Sequence, residues 1–420
     1  MEYEETVLQD DSTPAPQPHR VALVTGGLLM GGSSTFVLNL AGELARRNVP
    51  AGVFCFEREN DLAADFRAVN VPVFSFDGRA LIFEDKLARV LGAVREFRPT
   101  VVLANIGTPS FEVLRYLPRG VFRCGIVHAD LPSVYDSLRR YAPVLDAMAV
   151  VSQLIREKVH ALPEFARVAV PYLPLGVPMP AQLPPRVFTG PLRVLYLGRL
   201  AREQKRVHLF PQILADLRRS GVPFHWTIAG EGPEGGWLRG NLGSGGPGQT
   251  VTFRGPVAFA DVPELMSEHD VFLLASDYEG LPLTMLEAMG SGVVPVVSDL
   301  PSGVRDVVDE NNGWRVAPEN VAGYSEAIIA LHGDRKGMAA LSAAARQKVY
   351  PHFALAGMGD RWLGSFPAGA GAWEPWPERF QIRAPLWVAN GSRYQPAGRM
   401  FRRWMKRLRP DRDYYANISS

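Results

Sequence analysis

Short apolar runs recur along this chain with helix-length segments between them, and they fall into two series. The first series occupies residues 20–25, 51–56, 71–76, 101–105, 122–128 and 147–151. The second occupies 192–197, 225–229, 251–254, 271–275 and 293–297. Such runs, rich in Val, Leu, Ile and Phe and lacking polar alternation, read as strands buried on both faces, as in parallel sheets. Between them the spacing turns helical. Phe36, Val37, Leu40, Ala41 and Leu44 share one face of a helix over 34–47, and a second helix is predicted over 84–97. Strand–helix alternation of this kind predicts doubly wound α/β layers. Residues 178–185, Pro-Met-Pro-Ala-Gln-Leu-Pro-Pro, separate the series and read as a linker. The predicted organisation is therefore a leader at 1–19, a first domain at 20–177, a linker at 178–191, a second domain at 192–350 and a tail at 351–420.

A chain of 420 residues is long enough for two cores of this kind. Its formal net charge of +2 gives no bulk field for nucleic acid, so no nucleic-acid partner is expected. The two cysteines, Cys55 and Cys124, lie in apolar runs and read as core thiols in a reducing compartment. The leader is acidic, then Pro-rich, with no apolar stretch, and reads as disordered. No run approaches the roughly 20 apolar residues of a membrane span. A cytoplasmic protein, free or peripheral to the inner face of a membrane, is expected.

The most informative string is Glu279-Gly-Leu-Pro-Leu-Thr-Met-Leu-Glu287, continuing Ala-Met-Gly-Ser-Gly-Val-Val-Pro-Val-Val-Ser298. It comes after the strand at 271–275. Ser276 and Asp277 can cap the next helix, Gly280 permits the turn, and Pro282 suits the first turn of a helix. That helix is predicted from about Leu283 to Met289, ending at Gly290. Its unpaired N–H groups and dipole make an anion site near Leu283, Thr284 and Met285. Glu279 and Glu287 flank the site and can accept hydrogen bonds from hydroxyls on either side of a bound phosphate.

This string resembles the E-x7-E motif of retaining glycosyltransferases of family 4, which have the GT-B fold: two Rossmann-like domains facing a cleft at the carboxyl ends of their strands. The resemblance covers roughly residues 20–365. It implies that Glu279 contacts the transferred sugar. Gly280, Leu281, Pro282, Leu283 and Thr284 would hold the distal phosphate through their backbone, and Glu287 would bind the ribose. Gly198-Arg199-Leu200 with Gln204-Lys205 is similar to the family's G-R-L…K-G segment, whose cations pair with the diphosphate. Two cations would stabilise the charge developing on a departing diphosphate. Arg206 stands where the family usually has glycine, so Lys205 and Arg206 could exchange roles. Gly230-Glu-Gly232-Pro resembles the family's G-x-G-P turn near the nucleotide, and Gly255 lies where backbone usually receives the base. In the first domain, Gly31-Gly32 matches the glycine pair that lets a loop approach the donor phosphate, although Ser33-Ser34-Thr35 come next, where a charged residue is common. His128 matches a histidine that faces the transferred sugar, with Asp130 as a neighbour.

The resemblance implies transfer of a sugar from a nucleotide diphosphate sugar to a hydroxyl of a saccharide or lipid-linked acceptor, with retention and no metal or other cofactor. The acceptor loops, such as 105–109, carry no readable code. Two alternatives share the fold: a nucleotide-sugar epimerase and a non-catalytic nucleotide-sugar binder. Asp411-Arg-Asp413 looks like a metal-binding D-x-D but lies in a basic tail with no strand before it, and is read as chance. In that tail Met400, Phe401, Trp404, Met405 and Leu408 share a helical face opposite cations. Residues 400–409 are read either as a helix lying on an anionic membrane surface or as one packed on the first domain.

Overall fold

The structure, a computed structural model, describes residues 19–383 apart from 30, 58–61, 77–81, 106–107, 185, 244, 247 and 372–373. The leader (1–18 of it), part of the acceptor loop, the 400–409 helix and Asp411–Asp413 therefore lie outside the described residues.

Two sheets form. The first contains β1 (Val21–Thr25), β2 (Ala51–Cys55), β3 (Val73–Ser75), β4 (Val101–Asn105), β5 (Phe122–Val127) and β6 (Ala147–Val150). Its strand order is β3-β2-β1-β4-β5-β6, and every pair is parallel. The second contains β7 (Leu192–Leu197), β8 (Phe224–Ala229), β9 (Gly245–Gly246), β10 (Gln249–Gly255), β11 (Val271–Leu274), β12 (Val294–Ser298) and β13 (Trp314–Val316). Its order is β13-β12-β11-β7-β8-β10-β9, with only β9 antiparallel. Both are doubly wound α/β sheets, as the alternation predicts. β1, β2, β4, β6, β11 and β12 are buried along their whole length, which explains why their sequences are continuously apolar.

In each sheet the order reverses beside the first strand of its series, β1 or β7, so the crevice for a ligand opens at the carboxyl ends of these strands. The residues just past β1, β4, β5, β7 and β11 are those singled out from the sequence.

The chain crosses between the domains twice. The first crossing is the linker, where Arg186 donates to the carbonyls of Ser291 and His269 and so stays on the second domain. The second comes after helix Arg335–Val349. Val177 and Ala354 form a parallel bridge where the two crossings meet. Helix Leu355–Ser365 then packs on helix Gly32–Arg46 of the first domain. Trp362 lies 5.7 Å from Phe36 between ring centroids, and Arg47 pairs with Asp360 at 2.9 Å. The segment beyond stays on the first domain. Gly371 N donates to Gly120 O at 2.9 Å, Arg95 holds the carbonyl of Glu378 at 2.5 Å, and the Tyr116 hydroxyl accepts from Arg383 N at 3.0 Å.

Cys55 and Cys124 are buried and form no disulfide. Burial pushes the Cys124 thiol up to about 12, so it stays protonated and inert. Among the described residues no helix is long and apolar enough to cross a membrane.

Candidate active site

Helix Leu283–Gly290 begins where the sequence places it, after Pro282, which stands at the N-cap with φ −65° and ψ 116° rather than inside the first turn. The first intrahelical bond runs from Leu286 N to Pro282 O at 3.3 Å, so the N–H groups of Leu283, Thr284 and Met285 precede it. Ser276 does not cap this helix. Its N–H donates to Ser298 Oγ at 2.8 Å, and its own hydroxyl donates to Glu279 Oε1 at 2.7 Å. Ser298 Oγ in turn meets the Tyr324 hydroxyl at 2.7 Å. Glu279 is thus a buried carboxylate held by the Ser276 hydroxyl, and the Ser276 backbone is itself fixed by the Ser298–Tyr324 hydroxyl pair.

The same oxygen of Glu279 accepts from Lys205 Nζ at 2.5 Å. The two side chains come from loops that are stitched together: Asp277 N donates to Gln204 O at 2.8 Å, and Gln204 Nε2 to Tyr278 O at 3.4 Å. Arg206 does not share Lys205's place. Its guanidinium pairs with Asp277 at 3.0 Å and reaches the carbonyl of Pro318 at 2.6 Å. Its φ of +46° is left-handed. That conformation favours glycine, the residue that the resemblance leads one to expect there. Arg199 extends its side chain into solvent with no ion pair to a described residue, while its carbonyl accepts from the Tyr196 hydroxyl at 2.7 Å.

Glu287 is buried one turn further along the helix, in a small pocket with Pro178, Phe259, Val262, Pro263 and Ser291. Desolvation raises its pKa to about 7, since no described cation offsets the burial of its charge. Gly230 and Gly232 turn their Cα atoms onto the backbone of 198–200. A Cβ at Gly230 would overlap Gly198 O, and Gly230 N donates to Gly255 O at 2.7 Å. These glycines join the ends of β7, β8 and β10, and so shape the loop that carries Arg199.

The first domain meets this assembly directly. Gly280 packs so tightly on the carbonyl of His128 that a Cβ would overlap the oxygen. Gly280 O is held in turn by Gly303 N at 2.7 Å. Gly31 caps helix Gly32–Arg46, its carbonyl accepting from Ser34 N and Thr35 N, and a Cβ on Gly32 would lie 3.8 Å from Leu283 Cδ1. The Gly31–Gly32 loop and the loop that begins at His128 therefore face the start of helix Leu283–Gly290. Leu281 and Leu283 are buried beneath it, and Thr284 is half-buried at its edge.

His128 lies just past β5 and stands edge-on to Phe36 with ring centroids 5.0 Å apart. Its Nε2 is 2.6 Å from Asn105 Oδ1 at the end of β4. Burial lowers its pKa to about 4, so the ring is neutral at pH 7. Asp130 faces elsewhere: it accepts from the Tyr135 hydroxyl at 2.8 Å and from Lys158 at 2.6 Å. It is not a neighbour of the His128 ring.

The arrangement gathers Lys205, Glu279, His128, Gly32 and the helix start around one cleft. Glu287 lies one turn further along that helix, and Arg199 is exposed to solvent. Sequence reading did not single out Asn105 or Ser276 as holders of His128 and Glu279. The available signal was position alone, since each is a polar residue at or just past the carboxyl end of a buried parallel strand. Among the described residues no group of three or more His, Cys, Asp or Glu side chains is placed to hold a metal ion.

Comparison with known proteins agrees with this architecture. Residues 30–179 match the family model described as Glycosyltransferase Family 4, and residues 191–334 match the one described as Glycosyl transferases group 1. The chain is 27% identical over 309 residues to the putative colanic acid biosynthesis glycosyltransferase WcaL of Escherichia coli strain K12, covering 69% of this chain and 74% of that one. It is 27% identical over 299 residues to the glycogen synthase of Mycobacterium tuberculosis strain H37Rv, covering 66% and 70%. Among solved structures, a mutant of S. aureus TarM in complex with fondaparinux, alpha-GlcNAc-glycerol and UDP superposes with a TM-score of 0.68. That match has 12% identity and covers 82% of this chain and 99% of that one. Anabaena HepE in complex with UDP-glucose gives a TM-score of 0.67 at 17% identity, covering 83% and 100%.

Proposed function

We propose that this chain, a glycosyltransferase with the GT-B fold, transfers a sugar from a nucleotide diphosphate sugar to an acceptor hydroxyl with retention at the anomeric carbon. The acceptor is a saccharide or lipid-linked saccharide of polysaccharide or glycolipid assembly. The observation that carries the reading is the convergence of Lys205 and Glu279, 2.5 Å apart, with the open start of helix Leu283–Gly290 and the His128–Gly280 contact. One wall offers charge for a diphosphate, and the next offers oxygens for a sugar.

In this reading the diphosphate sits on the N–H groups of Leu283, Thr284 and Met285, with Lys205 and Arg199 balancing the charge that grows as the glycosidic bond breaks. Glu287 accepts from the ribose hydroxyls. Glu279 accepts from hydroxyls of the sugar, and His128 lines the sugar's other side. Retention by double displacement needs a carboxylate nucleophile on the face opposite the leaving group. Glu279 is engaged by Lys205 and Ser276, which suits an orienting role. We therefore favour a front-face route, in which the departing phosphate oxygen takes the acceptor hydroxyl's proton as the new bond forms on the same side. The cations and the helix start carry the charge, so this route calls for no metal.

Incubation with UDP-, GDP-, ADP- and dTDP-sugars tests the reading. Release of nucleoside diphosphate that depends on one donor, and that Glu279→Ala reduces at least a hundredfold, is expected. Binding of none of these donors would overturn it.

A further inference from the structure

His128 is held by more than packing, and its holder fixes what the ring can do. The Asn105 side chain is fully buried at the end of β4. Its amide nitrogen lies 3.5 Å from the carbonyl of Ser33 and 3.5 Å from Thr25 Oγ1. Ser33 O only accepts, so the nitrogen faces it and Oδ1 faces the histidine. Thr25 Oγ1 already donates to Gly27 O at 3.3 Å, which leaves its oxygen free to accept from Asn105. The polarity of the chain is therefore determined: Thr25 to Gly27, Asn105 to Ser33 and Thr25, His128 to Asn105. Nε2 of His128 must carry the proton. Nδ1 finds no partner among the described residues and is not sealed from solvent.

We propose that Asn105 is a positioning residue that locks His128 in the neutral Nε2–H tautomer, leaving Nδ1 as an acceptor for a hydroxyl of the transferred sugar. The inference rests on the function proposed above for where the sugar lies, but the tautomer itself does not depend on it. The elements packed against the ring bring no free charge to it. The helix Gly32–Arg46 contributes Phe36, β4 contributes Asn105, and the second domain contributes the backbone of Gly280. Asp130, two residues along the chain, and Glu279, which precedes the Gly280 that packs on His128, are occupied by Lys158 with Tyr135 and by Lys205 with Ser276. Burial alone sets the ring's low pKa. A site of this kind favours donors whose sugar keeps a free hydroxyl opposite Nδ1, and discriminates against the corresponding deoxy-sugar. A buried acceptor left unpaired is costly.

The test combines a spectroscopic and a kinetic arm. In the wild-type protein, ¹⁵N-detected histidine spectra assigned through His128→Gln should show a protonated Nε2 and an unprotonated Nδ1 from pH 5.5 to 8. A protonated Nδ1 overturns the proposal, whatever the enzyme does with donors. In Asn105→Asp, a carboxylate beside Nε2 should raise the ring's pKa by roughly one to three units and so protonate Nδ1. Its kcat should then fall toward pH 5.5, by up to about thirtyfold for a rise of three units, and recover toward pH 8, against a flat wild-type profile, with the affinity for free nucleoside diphosphate unchanged. Parallel pH profiles of the two proteins would overturn the positioning role. Absence of turnover by the wild type on every donor would count against the proposed function, while the spectra would still decide the tautomer.

Discussion

Glu287→Gln should make the ligand-free protein more stable and a poorer binder of nucleotide, with a pH dependence that identifies the cause. Burial raises the Glu287 pKa from 4.5 to about 7. The folded state therefore holds a proton that the unfolded chain has already released, and stability falls as pH rises through the window from about 4.5 to 7. A shift of about 2.5 units corresponds to about 3 kcal/mol, reached in full above pH 7. Gln removes the penalty at every pH and keeps the shape. The difference between variant and wild type should be near zero at pH 4.5 and grow to at most about 3 kcal/mol by pH 8. For a cooperative unit of this size that is an upward Tm shift of several degrees at pH 8 and little at pH 5. The assay is thermal unfolding of both proteins at a series of pH values without ligand. Melting curves displaced equally at pH 5 and pH 8 would refute the burial argument. The same substitution weakens the acceptor for ribose hydroxyls. A hydrogen bond to a charged group contributes about 1.5–3 kcal/mol, so the Kd for the preferred nucleoside diphosphate should rise about tenfold to a hundredfold. An unchanged Kd by calorimetry would remove Glu287 from the ribose site.

Other substitutions probe other parts of the cleft. Gly280→Ala drives a methyl group into the His128 carbonyl, so kcat/KM should fall at least a hundredfold. Wild-type turnover would show that the two loops need not meet. Ser276→Ala removes one of the two donors to Glu279 Oε1, and should cost about tenfold in kcat with little effect on nucleotide affinity, measured side by side by steady-state kinetics and calorimetry. Lys205→Met should weaken binding of nucleoside diphosphate much more than of the nucleoside, and equal losses for both would argue against a phosphate contact. Trp362→Ala empties a fully buried site against Phe36 and should destabilise the first domain by about 3–5 kcal/mol, read as an earlier chemical unfolding midpoint.

The fold was legible in the sequence wherever an apolar run was bounded by glycine, proline or a polar residue. β4 and β7 match their predicted limits, and the helix between β11 and β12 was legible because Gly280 and Pro282 mark its start and Gly290 its end. Helix Pro132–Tyr141 was not legible. It buries only Leu138 and Tyr141, too few apolar positions to show a period. The site was legible one wall at a time. Glu279 and the helix start are local, so a single string carries them. Lys205 came from a second string, but its contact with Glu279 spans 74 positions and depends on β7 lying beside β11. Asn105 and His128 meet only because β4 and β5 are neighbours in register, a relation that no local pattern encodes. Arg206 shows the converse case. The departure from glycine suggested an exchange of roles, and the backbone shows instead a left-handed turn that an arginine tolerates.

The second crossing at Ala354 has a consequence for how the molecule is made. Helix Leu355–Ser365 supplies Trp362 and Asp360 to the surface of the first domain, so that domain is unfinished when its own sheet has left the ribosome. At about 5–20 residues per second, the interval between synthesis of Val177 and of Ser365 is roughly 10–40 s. Through that interval the outer face of helix Gly32–Arg46 has no partner of its own, and the second domain must emerge before the first is closed. A nascent chain arrested between the two crossings should therefore be more sensitive to protease in its first half than the same half in the released protein.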